Sequence, residues 1–118
     1  MLGSIRVGSL RTKVAKSRKP KETDTVVRFD RANPILGNRH ILYDPANSVE
    51  RAKVILAYKR DLEFDIVTDG PMSKELHKLA DKVLAGEHII GMCWCSPLPC
   101  HGDHIVREVM KIVDATST

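Results

Sequence analysis

The stretch that decides the fold is HIIGMCWCSPLPCHGDH, residues 88–104. Its first eight residues, 88–95, form an apolar run of strand length that includes Ile89 and Ile90 and ends in two cysteines. Such a run predicts a buried strand. Pro97 and Pro99 have fixed φ and no N–H, so SPLP predicts a stiff, extended spacer. From roughly His101 to Asp114, Ile105, Val106, Val109, Met110 and Val113 fall on one helical stripe. A strand running directly into an amphipathic helix is the half-unit of an α/β layer fold, and such units carry ligands at the strand's C-terminal end.

Working outward, the preceding segment predicts a helix with Ser73 as N-cap, Leu76, Leu79, Ala80, Val83 and Leu84 on one face, and Gly86 as C-cap. Another helix starts at Ser48 as N-cap, with Val49, Ala52, Ile55 or Leu56, Lys59 and Leu62 giving a largely apolar stripe at spacings of three and four. TVVRFD, residues 25–30, is β-branched and aromatic and predicts a strand, as does SIRVGSL, residues 4–10, with Ile5 and Val7 on one face. Between strand 2 and the first helix, Asn33, Pro34, Gly37 and Asn38 mark a loop. Pro34 would hold Asn33 extended, and Gly37 is placed to take a positive φ. Residues 11–24 are polar, carry Pro20 and predict a mobile connection. The order β–β–α–α–β–α over 118 residues predicts one small α/β domain, three strands with three helices in a Rossmann-like layer arrangement.

A chain of this length can bury roughly two-thirds of its unfolded surface, so it needs no metal or disulfide to fold, and no cofactor is expected. No apolar run approaches the roughly 20 residues that span a bilayer, and residues 1–13 lack the apolar core of a secretory signal. The three cysteines, an odd number within eight positions, make no disulfide framework and predict a reducing cytoplasm. The net charge of +4 is unevenly placed. Residues 1–21 hold Arg6, Arg11, Lys13, Lys16, Arg18, Lys19 and Lys21 without an acid, while residues 22–118 carry 12 basic against 15 acidic residues. A basic segment of this kind suits a nucleic acid or a host protein, and equally a solvated loop.

Three chemistries fit the cysteine cluster. Cys93, Cys95, Cys100 and His101 or His104 are residue types zinc accepts, but the spacing is not that of paired C-x2-C knuckles. Cys93 and Cys95, two apart on a strand, are also too widely spaced without a bend. Alternatively Cys100, at a helix N-terminus with His101, His104 and Asp103 nearby, is an activated thiol in outline. Thirdly, the first amides of the helix at Cys100–Asp103 lack intrahelical partners and suit a phosphate, with Gly102 leaving room and His101 as an extra donor. Asp103 could instead cap those amides itself. Trp94, facing opposite Cys93 and Cys95, is expected in the core rather than stacked on a ligand.

Two motifs carry a family resemblance. Arg31, Asn33, Leu36, Gly37 and Asn38 match R-x-x-x-x-L-G-N, and Cys93, Trp94, Cys95, Pro97, Cys100, His101, Gly102 and Asp103 match C-W-C-x-P-x-x-C-H-G-D. Over roughly residues 4–113 the chain resembles the domain of unknown function DUF4326 of bacteria and phages. Arg39-His40 stands where Pro-Phe is usual in the first motif. The resemblance implies a fold similar to Rossmann-like domains that bind nucleotides, with both motifs converging on one cleft. On this reading Arg31, Asn33, Gly37, Asn38, Cys95, Cys100, His101, Gly102 and Asp103 bind a phosphate-bearing, nucleotide-like ligand. Any catalysis would fall to Cys100, His101 and Asp103. The alternative is a phage-type accessory protein in the host cytoplasm, docking through its basic N-terminal segment, with the cysteines structural or holding zinc through Cys93, Cys95, Cys100 and His101.

Overall fold

The computed structural model describes residues 2–10, 23–40, 42–44, 46–94 and 100–117. Most of the basic connection, residues 11–22, lies outside them, as do Cys95 and the SPLP spacer. The elements are β1 (Ser4–Ser9), β2 (Thr25–Arg28), α1 (Ser48–Val67), α2 (Pro71–Leu84), β3 (His88–Cys93) and α3 (Gly102–Ser117). This is the expected order. No described helix is long and apolar enough to cross a membrane.

The three strands form one parallel sheet in the order β1-β3-β2. In the registers Ile5 lies beside Ile89, and Val27 beside Gly91. β3 therefore takes hydrogen bonds on both edges, and from Ile89 to Cys93 every residue is buried, which is why it reads as an unbroken apolar run rather than an alternation. α2 packs against α3, and α3 covers β1. Leu76, Leu79, Ala80 and Val83 meet Ile105, Val109 and Val113 in the common core. Burying a side chain of this kind stabilises the fold by roughly 1.5–3 kcal/mol.

Helix ends differ from the sequence reading in instructive ways. Asn47, not Ser48, caps α1: its Oδ1 accepts the Glu50 N–H at 3.0 Å. α2 begins two residues before Ser73, with Gly70 as N-cap and Pro71 in the first turn, where its missing N–H costs nothing. The Ser73 N–H is instead taken at 2.7 Å by Asp65 Oδ1 from α1. At the other end Ala85 is the C-cap and Gly86 follows with φ 98°. Gly86 N–H bonds to Val83 O and Glu87 N–H to Lys82 O, the paired bonds of a Schellman turn. β2 ends at Arg28, yet Phe29 N–H still reaches Met92 O at 2.8 Å, so the loop leaves the sheet alongside the end of β3.

Candidate functional site

Beyond the C-terminal ends of β2 and β3 lies a cavity of about 250 Å³, lined by Asp30, Arg31, Asn38, His40, Leu42, Arg51, Val54, Ile55, Cys93, Trp94 and His101. It is just below the roughly 300–1,000 Å³ of typical small-molecule sites. One wall is the loop after β2, another the start of α1, and the third the end of β3 with the start of α3.

The loop after β2 is shaped by its own side chains. Asn33 Oδ1 accepts the N–H groups of Ile35 and Leu36 at 2.9 and 2.8 Å, and its Nδ2 donates to Arg28 O. Asn33 therefore builds the turn and does not line the cavity. Gly37 is not in the positive-φ region. It is needed because a Cβ there would sit 2.6 Å from Asn33 O and 2.7 Å from Asp30 O. The turn delivers buried Asn38, whose Oδ1 accepts the His40 N–H at 2.8 Å. Leu36 is sealed beneath, its carbonyl accepting the Tyr58 hydroxyl at 2.7 Å. Burial, and after it the nearby Cys100, pushes the Tyr58 phenol well above its ordinary value.

Asp30 anchors the other side. Its carboxylate receives Arg28, with Nε at 2.9 Å, and the Trp94 indole N–H at 3.1 Å. The Arg28 bond is the main reason its carboxyl is held below the ordinary value. Trp94 is 56% exposed. The expectation of a core tryptophan is therefore corrected: β3 ends at Cys93, and the indole N–H finds its acceptor at the cavity rim. Arg51, in the first turn of α1, is only 6% exposed and brings a second guanidinium to the cavity beside Arg31.

His101 closes the inner wall, 6% exposed, its ring packed at 4.7 Å on Tyr58. Nε2 meets the carbonyl of Phe29, which can only accept, so Nε2 carries the proton. Nδ1 faces Cys100 Sγ at 3.6 Å. The amides expected to meet an anion are engaged by the chain itself. Gly102 N–H points to Cys100 Sγ at 3.4 Å, Asp103 N–H to Cys100 O, and His104 N–H to His101 O. Asp103 acts as a cap, its Oδ2 accepting the Cys100 N–H at 3.1 Å. Gly102 gives room to protein rather than ligand, since a Cβ there would come within 3.1 Å of the Phe29 ring and 3.2 Å of Val7. Cys100 is 1% exposed and, like Gly102 and Asp103, does not line the cavity.

The model of the family described as "Domain of unknown function (DUF4326)" matches residues 12–111. This chain belongs to the DUF4326 family. No curated protein and no solved structure gives a match. In this DUF4326 member the two motifs, distant in sequence, do share a cleft: Arg31 and Asn38 face the same cavity as Cys93, Trp94 and His101. The expected ligand residue Cys95 lies outside the described residues. Sequence reasoning missed Asp30, His40 and Arg51. Asp30 and His40 flank the first motif without matching it, and Arg51 lies on a helix whose only evident pattern was its apolar spacing.

Proposed function

We propose that this DUF4326 chain binds a phosphate-bearing, nucleotide-like small molecule in the cavity between its two motifs. The observation that carries the reading is the pairing, around one cavity, of two guanidiniums with an exposed indole whose N–H is tied to a buried carboxylate. Arg31 at the rim and Arg51 at depth hold the phosphate, because a guanidinium matches phosphate oxygens in two-pronged fashion. The Trp94 face stacks on the base, an interaction worth about 1–3 kcal/mol for single-stranded bases. Asn38 keeps its side-chain NH2 as donor for the base or sugar. The phosphate contacts thus come from side chains rather than from the start of α3, whose amides are satisfied. Buried thiols at Cys93 and Cys100 fit a reducing compartment such as the cytoplasm.

Trp94 is the sole tryptophan, so its fluorescence reports the cavity directly. Titration with nucleoside mono- and diphosphates, cyclic nucleotides and ADP-ribose is expected to give saturable quenching with at least one of them, with matching heat by calorimetry. Arg31→Gln is expected to weaken that binding roughly 10-fold or more. No heat and no fluorescence change with any of these up to millimolar concentration would overturn the proposal. For the rival reading, a protein docking through its basic segment, deleting residues 1–21 is unsuitable because it removes β1, which pairs with β3. Changing Lys13, Lys16, Arg18, Lys19 and Lys21 to Gln tests it without touching the sheet. Loss of nucleic-acid or host-protein binding in that variant, with the cavity silent to nucleotides, would favour the rival.

A further inference from the structure

Three metal-ligating groups meet behind the inner wall of the cavity. The side-chain ligand atoms of Cys93, Cys100 and His101 lie within 4.8 Å of one another, and all three residues are buried. Cys93 comes from the end of β3, and the other two from the turn immediately before α3. The ligand set is therefore assembled by the strand-to-helix connection and not by the C-x-C spacing that seemed too wide.

We infer that Cys93, Cys100 and His101 form a binding site for a zinc-type divalent ion. Four features converge on this. The Cys100 Sγ to His101 Nδ1 separation is 3.6 Å, the separation of two adjacent ligands around tetrahedral zinc, about 3.6 Å from Zn–S near 2.3 Å and Zn–N near 2.0–2.1 Å. The Phe29 carbonyl holds the proton on Nε2, which leaves the Nδ1 lone pair turned toward the sulfur. A metal-bound histidine is characteristically oriented by such a partner on its other nitrogen. The Gly102 N–H aimed at Cys100 Sγ, at the N-terminal end of α3, supports a thiolate there. Lastly, Zn²⁺ with two thiolates and a neutral imidazole is uncharged, which suits a site with these burials. Two thiols and one imidazole take up Zn²⁺ and release two protons; no electron moves.

Three protein ligands leave one position of a tetrahedral ion for water or another donor. Cys93 and His101 also line the cavity, so a donor reaches the ion from there. The metal inference does not rest on the nucleotide reading, because it is measured with the metal alone.

The test is titration of the reduced, metal-stripped full chain with Co²⁺, followed by displacement with Zn²⁺. One equivalent of Co²⁺ is expected to bind with an intense sulfur-to-cobalt charge-transfer band and the visible bands of a tetrahedral ion. Zn²⁺ should abolish both, with release of about two protons per ion. Cys93→Ser and Cys100→Ser should each lose roughly half of the charge-transfer intensity and more affinity than the roughly 10–100-fold cost of losing an outer partner. If those variants fail to fold by circular dichroism, the unmutated chain still decides. Absence of a thiolate band at millimolar Co²⁺, with no rise in Tm on adding Zn²⁺, overturns the site. Inorganic phosphate or imidazole should then shift the visible bands of the cobalt form. Bands that stay unmoved overturn the open fourth position.

Discussion

Gly91 offers the sharpest test of how the sheet holds the site. A Cβ at this position of β3 would lie 1.9, 2.2 and 2.4 Å from three ring atoms of Phe29. In Gly91→Ala the ring must therefore retreat by roughly 1.5 Å to reach ordinary contact, which begins near 3.4 Å. It has nowhere to go. Phe29 is fully buried, and its ring already packs against Gly102 at the start of α3. Its own backbone is pinned on both sides, the N–H by Met92 O and the carbonyl by His101. Overpacking a core that can adjust costs roughly 1–3 kcal/mol. With the ring trapped, the expectation is the top of that range or above, about 3–4 kcal/mol out of a total near 5–15 kcal/mol. Urea unfolding should show the midpoint falling by roughly 1–4 M, for slopes of about 1–3 kcal/mol/M. Phe29→Ala alone should cost about 3–5 kcal/mol. The double variant should cost clearly less than the two single costs together, with a coupling of about 2 kcal/mol or more. A Gly91→Ala loss below about 1 kcal/mol, or additive costs in the double variant, would refute the argument that Phe29 fills the space Gly91 leaves.

Other expectations follow from single contacts. Because Arg28 holds the Asp30 carboxyl below its ordinary 3.8, the unfolded chain protonates first. The stability from Asp30 is complete above about pH 4 and is lost as pH falls through the lowered folded value, so Asp30→Asn should flatten the acid limb of the stability curve. The emission of Trp94, which donates to the same carboxylate, should change over that acid range in the parent and not in the variant. Asn47→Ala should cost about 1 kcal/mol by thermal or urea unfolding, since its side chain caps α1. Asp69 sits at φ 52° in the corner between α1 and α2, so Asp69→Gly should leave stability unchanged or raise it by up to about 1 kcal/mol.

The element order, the two-sided burial of β3 and the apolar stripes of α2 and α3 were all legible in the residues themselves, because each is a local period or run. The two motifs were legible too, and so was the family they identify. What lay beyond the sequence depended on partners far apart in the chain. Trp94 reads as a core residue until Asp30, 64 positions earlier, is seen to accept its N–H at the rim. Arg51 reads as one helical polar residue until α1 turns it into the cavity wall. Gly37 and Gly102 read as residues of conformational freedom or ligand access, yet Gly37 is required by close approach of the chain's own backbone and Gly102 is tightly packed by Phe29 and Val7.

The sequence by itself determined a small α/β domain and, through its family resemblance, the two segments that meet in one cleft; the parallel order with β3 at the centre came from the structure. Only the tertiary structure decided which groups in those segments face the cavity and which are consumed in holding it. The amides of α3 are satisfied within their own turn, and Asn33 is spent on its loop. Local pattern specifies what a segment becomes, but which of its donors and acceptors remain for a ligand depends on what the rest of the chain brings within hydrogen-bond reach.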